Sequence, residues 1–259
     1  MNIISIKNLN FKYKNKIIFE KLNLNIKKNS ITTIIGKNGS GKSTLVKLLT
    51  GIIPSDNIKY NDEILNKKNV FKKIGVVSDV LENEFIGKTV KEYLNMTLLN
   101  MEYNKKKIKK RLEYIIDKLG LYEVINENPN NLSNSKKQLV SLAGALIYEP
   151  EVLILDNALA YFDSKDEILK LLLELKENMT IIHITQDIED TLISDQVVII
   201  DKKVILKGNK EKIYKEEKTL NNLGYKLPFM VELSNRLQFY NLIDETMYDM
   251  QKMVDTLWK

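Results

Sequence analysis

The chain of 259 residues has no cysteine, a single histidine and only two arginines, Arg111 and Arg236. Without cysteine it has neither a disulfide framework nor a thiolate metal site, which fits a reducing compartment. It also lacks the clustered arginines and aromatics that typify a nucleic-acid-binding face. The net charge of +6 comes from lysines spread along the whole chain, so we expect solvated surface and no nucleic-acid partner.

Long apolar runs are also missing. No stretch approaches the ~18 apolar residues that a membrane-spanning helix needs. The opening MNIISIKNLNFKY lacks the basic-then-apolar order of a signal peptide. Because 44% of the residues are hydrophobic, the chain can bury the core of one large domain, or of a domain with an appendage. We expect a soluble globular protein that stays in the cytosol.

The densest basic cluster, residues 105–111, falls on a predicted helix. Apolar residues recur there at helical spacing: Ile108, Leu112, Ile115, Ile116 and Leu119. This pattern favours a solvent-facing lysine surface over a phosphate-reading patch.

The most specific motif is GKNGSGKST, residues 36–44. A β-branched run at 31–35 predicts a buried strand before it, and residues 43–50 predict a helix after it. At such a strand-to-helix turn, glycines let backbone N–H groups curl around phosphate oxygens, and the helix N-terminus adds positive partial charge. The motif therefore predicts a nucleotide-binding loop, which we call the phosphate loop.

Two side chains of the phosphate loop have distinct roles. Lys42 would reach the β- and γ-phosphates, and Ser43 would ligate Mg²⁺. The predicted ATP-binding residues of the loop are Gly36, Lys37, Asn38, Gly39, Ser40, Gly41, Lys42, Ser43 and Thr44. The alternative is a glycine-rich turn without a ligand, which the flanking strand and helix disfavour.

Strands and helices alternate along the rest of the chain. After a β-rich opening, strands are predicted at 31–35, 74–77, 152–155, 180–184 and 197–200, and helices at 90–147, at 164–177 and beyond Gly208. Continuous apolar strands alternating with helices predict an α/β fold with a parallel sheet covered on both faces.

A buried strand ends in a carboxylate at Val152-Leu-Ile-Leu-Asp156. A charge at the end of an apolar strand is costly unless it has a partner, and Mg²⁺ on the neighbouring strand would be that partner. We therefore predict that Asp156 is a metal ligand, the alternative being a helix-capping or structural aspartate.

The order of the motifs carries a resemblance. A phosphate loop, a helical insertion, a Leu-Ser signature at a helix start (NLSNSKKQL, 131–139) and an apolar strand ending in Asp156 resemble the ATP-binding cassette (ABC) family of transporter ATPases. Within that family the chain is similar to the ATPase (A) components of energy-coupling factor (ECF) transporters, the CbiO-like branch. Three stretches carry this likeness: IGVVSDVLENEFIGKTV (74–90), SLAGALIYEPEVLILD (141–156) and LGYKLPFMVELSNRL (223–237).

The resemblance implies a P-loop NTPase fold of the ABC nucleotide-binding type, with a β-rich N-terminal subdomain. An ATPase domain would span 1–208 with a helical subdomain at about 88–147, followed by a helical C-terminal extension at 209–259. In this family two such domains bind head to tail with two ATP molecules between them. Each site uses the phosphate loop of one chain and the signature helix of the other.

The resemblance also assigns roles outside the phosphate loop. Tyr13 would stack on adenine, although an aromatic residue in a strand is more often part of the core. Ser133, Asn134 and Ser135 would contact the ATP of the partner chain. Asp163 matches the aspartate of the loop at the dimer contact.

The chain departs from the family at catalytic positions. Asn157 replaces the glutamate that activates the attacking water, and Gln186 replaces the histidine that contacts the γ-phosphate. An amide cannot accept the proton of the water, and a positioned base typically contributes ~10²- to 10⁴-fold. The only histidine, His183, lies within a predicted strand, where we expect a structural role.

Two further departures affect the metal and the partner site. Asp79 stands where the family has the glutamine that senses Mg²⁺ and the membrane partner, which makes Asp79 a further candidate metal ligand. Two signature glycines, which let the backbone approach the partner-bound phosphate, are replaced by Asn134 and Ser135. Lys136 follows them and brings a charge that could attract phosphate.

The leading hypothesis is an ATP-binding subunit of an ECF-type importer at the cytoplasmic face of the cell membrane. It would bind ATP and Mg²⁺, hydrolyse ATP slowly or not at all at its own site, and drive uptake of a vitamin, a metal ion or another small solute. Its partners would be a second, catalytically intact ATPase in a heterodimer, and integral membrane coupling and substrate-binding subunits. The alternatives are a nucleotide-dependent pseudo-ATPase scaffold of a membrane complex, and a soluble ABC protein without a transport role.

Overall fold

The computed structural model of the chain describes residues 1–79 and 85–258. Residues 80–84, which belong to the stretch 74–90 that contributes to the resemblance, lie outside the described residues. The strands are β1 (Asn2–Tyr13), β2 (Lys16–Lys27), β3 (Ile31–Ile35), β4 (Ile58–Tyr60), β5 (Glu63–Ile64), β6 (Ile74–Ser78), β7 (Val152–Asp156), β8 (Thr180–Thr185), β9 (Gln196–Asp201) and β10 (Lys203–Gly208).

The strands form two sheets. A four-stranded sheet has the order β2-β1-β4-β5 and is antiparallel. A six-stranded sheet has the order β10-β9-β3-β8-β7-β6. Its strands run parallel except for the edge strand β10, which pairs antiparallel with β9. The predicted parallel sheet is confirmed, with an antiparallel edge that the sequence analysis did not foresee.

Ten α-helices are present among the described residues. They are α1 (Lys42–Leu49), α2 (Lys67–Val70), α3 (Val90–Asn100), α4 (Lys105–Leu119), α5 (Asn134–Leu146), α6 (Lys165–Leu175), α7 (Lys210–Lys215), α8 (Glu217–Asn222), α9 (Phe229–Phe239) and α10 (Met250–Leu257). Helices α3 to α5 occupy the predicted helical middle. Helices α7 to α10 follow the last strand, as predicted for the region beyond Gly208.

Both faces of the six-stranded sheet are covered. Side chains alternate along a strand, so Leu153 and Leu155 of β7 pack in one hydrophobic cluster with α3 to α6. Ile154 packs in a second cluster with α1 and the four-stranded sheet. A third cluster joins Ile35 to the C-terminal helices. Continuous apolar strands are what such two-sided burial requires.

Helix α4 carries the basic cluster. Its buried residues are Ile108, Leu112, Ile115 and Leu119, and its lysines at 105–107 and 109–110 are exposed. This confirms the predicted solvent-facing lysine surface. Arg111 differs from its neighbours, because its Nε donates to the carbonyl of Ile147 at 2.8 Å and its Nη1 to Glu149 Oε1 at 3.0 Å. Arg111 thereby attaches α4 to the end of α5.

Among the helices of the described residues, none has both the length and the apolar character required to cross a bilayer.

Candidate nucleotide-binding site

The phosphate loop connects β3 to α1, as predicted. Gly39 and Gly41 adopt positive φ angles of 82° and 103°. A Cβ on Gly41 would lie 2.7 Å from the Phe19 ring, and one on Gly36 would lie 2.9 Å from the carbonyl oxygen of Ile200. Positive φ and close contacts both require glycine here. Gly41 is the N-cap of α1, and no side chain in the described part of the chain caps this end, which leaves the first N–H groups of the helix to an anion.

Lys42 lies inside the curl of the loop and is only 7% exposed. Its Nζ donates to the carbonyls of Gly36 at 2.6 Å and Lys37 at 3.0 Å. Burial lowers the pKa of Lys42, and the carboxylate of Asp156 opposes that effect. The ammonium group is thus held by carbonyl oxygens, which phosphate oxygens can replace as acceptors.

Asp156 ends β7 between Ser78 of β6 and Ile184 of β8. Its side chain is buried, and its Oδ1 has no hydrogen-bond partner among the described residues. Burial raises the pKa of Asp156 to about 6; Asp79 adds to this rise and Lys42 opposes it. A buried carboxylate oxygen without a donor is unfavourable unless a cation reaches it, so the residues present fit a Mg²⁺ ion.

Three of the residues that depart from the family pattern lie together. Asp79, Asn157 and Gln186 follow β6, β7 and β8, and all three line one cleft of about 330 Å³ at the carboxyl ends of these strands. Asn157 has a left-handed backbone, φ 52°, and its N–H donates to the carbonyl of Ile184 at 2.8 Å. The cleft therefore presents the amides of Asn157 and Gln186 together with the carboxylates of Asp79, Asp187 and Asp190.

Lys165, which the sequence analysis did not single out, also lines this cleft. Its Nζ forms ion pairs with Asp190 and, at 3.6 Å, with Asp187. Burial lowers the pKa of Lys165, but the bonds to these carboxylates outweigh burial and raise it overall. Asp190 also accepts a hydrogen bond from Thr185 Oγ1 at 2.6 Å. These contacts join the start of α6 to the residues on both sides of Gln186.

His183 is fully buried in β8, with its Nε2 3.6 Å from Asp190 Oδ2. Burial lowers its pKa to about 4, more than the nearby Asp190 raises it. The imidazole is therefore neutral at pH 7. His183 does not line the cleft, which agrees with the structural role predicted for it.

The signature residues lie at the start of α5. Ser133 is the N-cap, and its Oγ accepts from the N–H of Lys136 at 3.4 Å. Ser135 Oγ accepts from the N–H of Asp163 at 3.0 Å, which links the signature to the loop that follows β7. Ser133 and Asn134 are exposed, and none of the three signature residues lines the cleft. The role of Ser133 to Ser135 toward a partner's ATP stays a prediction.

Gln138 was also missed by the sequence analysis. It is buried on α5, and its Nε2 donates to the carbonyls of Ser78 at 3.1 Å and Ala158 at 3.3 Å. It therefore connects α5 to the ends of β6 and β7 beside the cleft. The signal that could have found it is an amide on the apolar face of a predicted helix, since a buried amide needs partners.

Tyr13, at the end of β1, is 44% exposed and so is not a core residue. Its ring meets that of Phe11 edge-on, with centroids 4.9 Å apart. An exposed aromatic face can stack on a base, and the stacking of Tyr13 on adenine stays a prediction.

Known proteins share this sequence pattern. Residues 19–160 match the ABC transporter family. The energy-coupling factor transporter ATP-binding protein EcfA1 of Ligilactobacillus salivarius is 34% identical over an alignment of 269 positions, gaps included, that covers 99% of this chain and 95% of that protein.

Solved structures share the fold. CbiO1 from Clostridium perfringens, part of the ABC transporter complex CbiONQ, superposes with a TM-score of 0.76 and 30% sequence identity, covering 86% of this chain and 94% of that one. The dimeric bacterial ABC transporter cassette MJ0796 superposes with a TM-score of 0.69 and 26% identity, covering 80% of this chain and 98% of that one.

Proposed function

The chain belongs to the ABC transporter family, among the energy-coupling factor transporter ATP-binding proteins, and on this premise we propose that it binds MgATP at its phosphate loop and hydrolyses it slowly. One observation carries the proposal. Lys42 supplies a cation, and Asp156 Oδ1, which has no hydrogen-bond partner among the described residues, supplies a metal-ligating oxygen. The amides at positions 157 and 186, in contrast, both line the cleft at the carboxyl ends of β6 to β8.

ATP binding follows from the groups of the loop. The N–H groups at the start of α1 would donate to phosphate oxygens, and Lys42 would exchange its carbonyl acceptors for them. Ser43 and Asp156 would hold Mg²⁺, with Asp79 as a further ligand, and Mg²⁺ would neutralise charge on the phosphates. Because burial raises the pKa of Asp156, a bound cation would favour its ionised form.

We attribute slow hydrolysis to the side chains that would lie beside the γ-phosphate. A glutamate at 157 would take the proton of the attacking water, and Asn157 can only orient that water. Gln186 keeps hydrogen bonding but provides no charge. Lys165 does line the cleft, yet Asp187 and Asp190 already engage it, so its charge is not free to replace that of a histidine.

A head-to-tail dimer would complete the site. The exposure of Ser133 and Asn134 at the start of α5 leaves the signature open to a partner, and the related cassette MJ0796 is known as a dimer. We propose a heterodimer in which the second ATPase has the intact glutamate and histidine.

The relative CbiO1 is part of a transporter complex, and we propose that this chain likewise docks at the cytoplasmic face of a membrane complex. The membrane subunits would import a vitamin, a metal ion or another small solute.

Calorimetric titration with MgATP tests the binding part. We expect the wild-type chain to bind, Lys42→Ala to lose binding, and Asp156→Asn to bind ATP without its Mg²⁺ dependence. Equal affinity in Lys42→Ala and the wild type would exclude the phosphate loop as the site.

Single-turnover hydrolysis in the complex with the partner ATPase tests the slow site. Asn157→Glu, combined with Gln186→His, should raise the rate at this chain's phosphate loop by ~10²-fold or more. Asn157→Asp, which supplies a shorter carboxylate, serves as the matched control. No gain from the double change would show that these two amides do not limit the reaction.

One observation favours a second candidate, a nucleotide-dependent scaffold. Asn134 and Ser135 replace glycines at the surface that would meet the partner's ATP, so both sites of a dimer could be slow. A scaffold would retain bound ATP unchanged in the assembled complex, whereas a transport ATPase would release ADP. Chromatography of the bound nucleotide distinguishes the two.

A further inference from the structure

The segment Leu223–Pro228, which we call the LGYKLP segment, joins α8 to α9 and lies against the phosphate loop. Gly224 has a φ of +79°, and a Cβ built on it would lie 3.1 Å from Lys37 Nζ and 3.3 Å from Lys37 Cε. Lys37 is the second residue of the phosphate loop, and its carbonyl accepts a hydrogen bond from Lys42 Nζ. The C-terminal extension therefore lies next to the side chain of Lys37, whose backbone carbonyl is one of the two acceptors of Lys42 Nζ.

Apolar side chains of the segment also belong to a hydrophobic cluster next to the loop. Tyr225 and Leu227 are 9% and 8% exposed. They belong to one hydrophobic cluster with Ile35, the residue directly before Gly36. The N–H of Tyr225 donates to the carbonyl of Leu220 at 2.9 Å, which attaches the segment to α8. Ile35, directly before the loop, therefore shares its hydrophobic cluster with side chains of the extension.

The same part of the chain also reaches the other side of the nucleotide site. The N–H of Phe229, directly after the segment, donates to Glu189 Oε1 at 2.6 Å. The N–H of Glu189 in turn donates to Asp187 Oδ1 at 3.0 Å, and Asp187 follows Gln186. The chain from 223 to 229 thus contacts both the phosphate loop and the turn that carries Gln186.

We propose that the LGYKLP segment is a positioning element of the nucleotide site, so that ATP affinity depends on its packing and ATP binding stabilises its packing in return. The inference rests on the proposed ATP binding at the phosphate loop. The backbone amides of the loop must be aligned before ATP binds if they are to donate to its phosphates. The extension is linked to the loop at Lys37 and to the strand residue before it, Ile35. Coupling between two sites is reciprocal, so one set of contacts produces both effects.

MgATP affinity of the full chain, measured by calorimetric titration, tests the first effect. Tyr225→Ala removes a large buried side chain from the cluster that contains Ile35, and we expect the affinity to fall about fivefold or more, a typical coupling factor. Tyr225→Phe is the matched control, because the Tyr225 hydroxyl is buried without a hydrogen-bond partner among the described residues. Met253→Ala is the second control, since Met253 is buried in the extension in a separate cluster. Both controls should bind as the wild type does.

Two results of this titration would overturn the inference: wild-type affinity in Tyr225→Ala, or an equal loss in Met253→Ala, which would indicate general destabilisation of the extension. Lys42→Ala separates this inference from the proposed site. If Lys42→Ala still binds ATP, the proposed site fails and the inference fails with it. If Lys42→Ala loses binding while Tyr225→Ala keeps it, only the inference fails.

Hydrogen exchange of the wild-type chain tests the reciprocal effect without any variant. We expect MgATP to slow amide exchange at Gly224, Tyr225 and Phe229, and to leave α10 unchanged. Unchanged exchange at the three amides, or equal slowing in α10, would contradict the coupling.

Discussion

Asp156→Asn should make the nucleotide-free chain more stable at neutral pH. The substitution keeps the shape of the side chain and removes a buried charge. Burial raises the pKa of Asp156 from its ordinary 3.8 to about 6. At about 1.4 kcal/mol per pKa unit, ionising this group in the folded protein costs on the order of 3 kcal/mol. Asparagine avoids that cost.

The pKa of about 6 already includes the opposing effect of Lys42. The net gain is smaller because the buried amide of asparagine has its own cost of desolvation. We expect a gain of about 2 kcal/mol in the free energy of unfolding, or roughly 4–8 °C in Tm for a chain of this size. The gain should depend on pH. Since the folded pKa lies above the unfolded one, the folded protein holds the proton longer, and wild-type stability falls relative to the variant between pH 4 and pH 7.

Thermal unfolding at several pH values between 3 and 8, in chelator and without nucleotide, measures this difference. Below pH 4 both proteins carry a neutral side chain at 156, and their melting temperatures should coincide. Asp201→Asn is the matched control, because Asp201 also ends a strand of the six-stranded sheet, β9, but is exposed; it should have little effect. A variant no more stable than the wild type at pH 7.5, or a gain that persists below pH 4, would refute the reasoning.

Three further predictions concern positions around the site. Gly41→Ala places a Cβ at φ +103° and 2.7 Å from the Phe19 ring, so urea unfolding should show a free energy of unfolding lower by roughly 2–4 kcal/mol. Gly120→Ala, at φ +62° with no other described residue within 4 Å of the added Cβ except its chain neighbours, should lower it less. Lys165→Met leaves the buried Asp190 without the Lys165 ammonium and should lower the free energy of unfolding by roughly 1–3 kcal/mol, whereas Lys165→Arg keeps a cation and should retain most of that stability. Equal unfolding midpoints for the two variants would contradict this. Burial lowers the pKa of His183 from 6.5 to about 4, so between these pH values the unfolded chain takes up a proton that the folded chain does not, and the free energy of unfolding falls as the pH falls. His183→Gln should remove this part of the pH dependence. An unchanged stability profile over that pH range would argue against it.

Local signals account for the parts of the fold that the sequence could predict. The run Ile31–Ile35 is fully buried and β-branched, and a parallel strand buried on both faces requires such a run. The phosphate loop follows it because glycines at positive φ are needed at that turn. Asp156 could be placed because a charge at the end of an apolar strand stands out from its neighbours.

Non-local pairing accounts for the parts that were missed. Strands β4 and β5 have three and two residues, too few for an alternation of polar and apolar side chains to appear. Strand β10 is half-buried along its length, so its pattern is weak. Their position depends on partners far away in the sequence.

The candidate site shows the same difference between local sequence signals and non-local contacts. The residue types at 42, 156, 157 and 186 could be read from motif spacing. The contacts of Lys165 with Asp190, and of Lys37 with Gly224, join segments far apart in the chain. No spacing rule brings such pairs together, because tertiary packing alone determines them.

The central claim is that this chain binds MgATP at a site that hydrolyses it slowly. The most direct measurement follows labelled ATP bound to the purified chain in the presence of Mg²⁺, in the wild type and in Lys42→Ala. The account predicts that the wild type binds ATP and retains most of it unhydrolysed over many minutes, and that Lys42→Ala does not bind. Hydrolysis at several turnovers per second in the wild type, lost in Lys42→Ala, would contradict it.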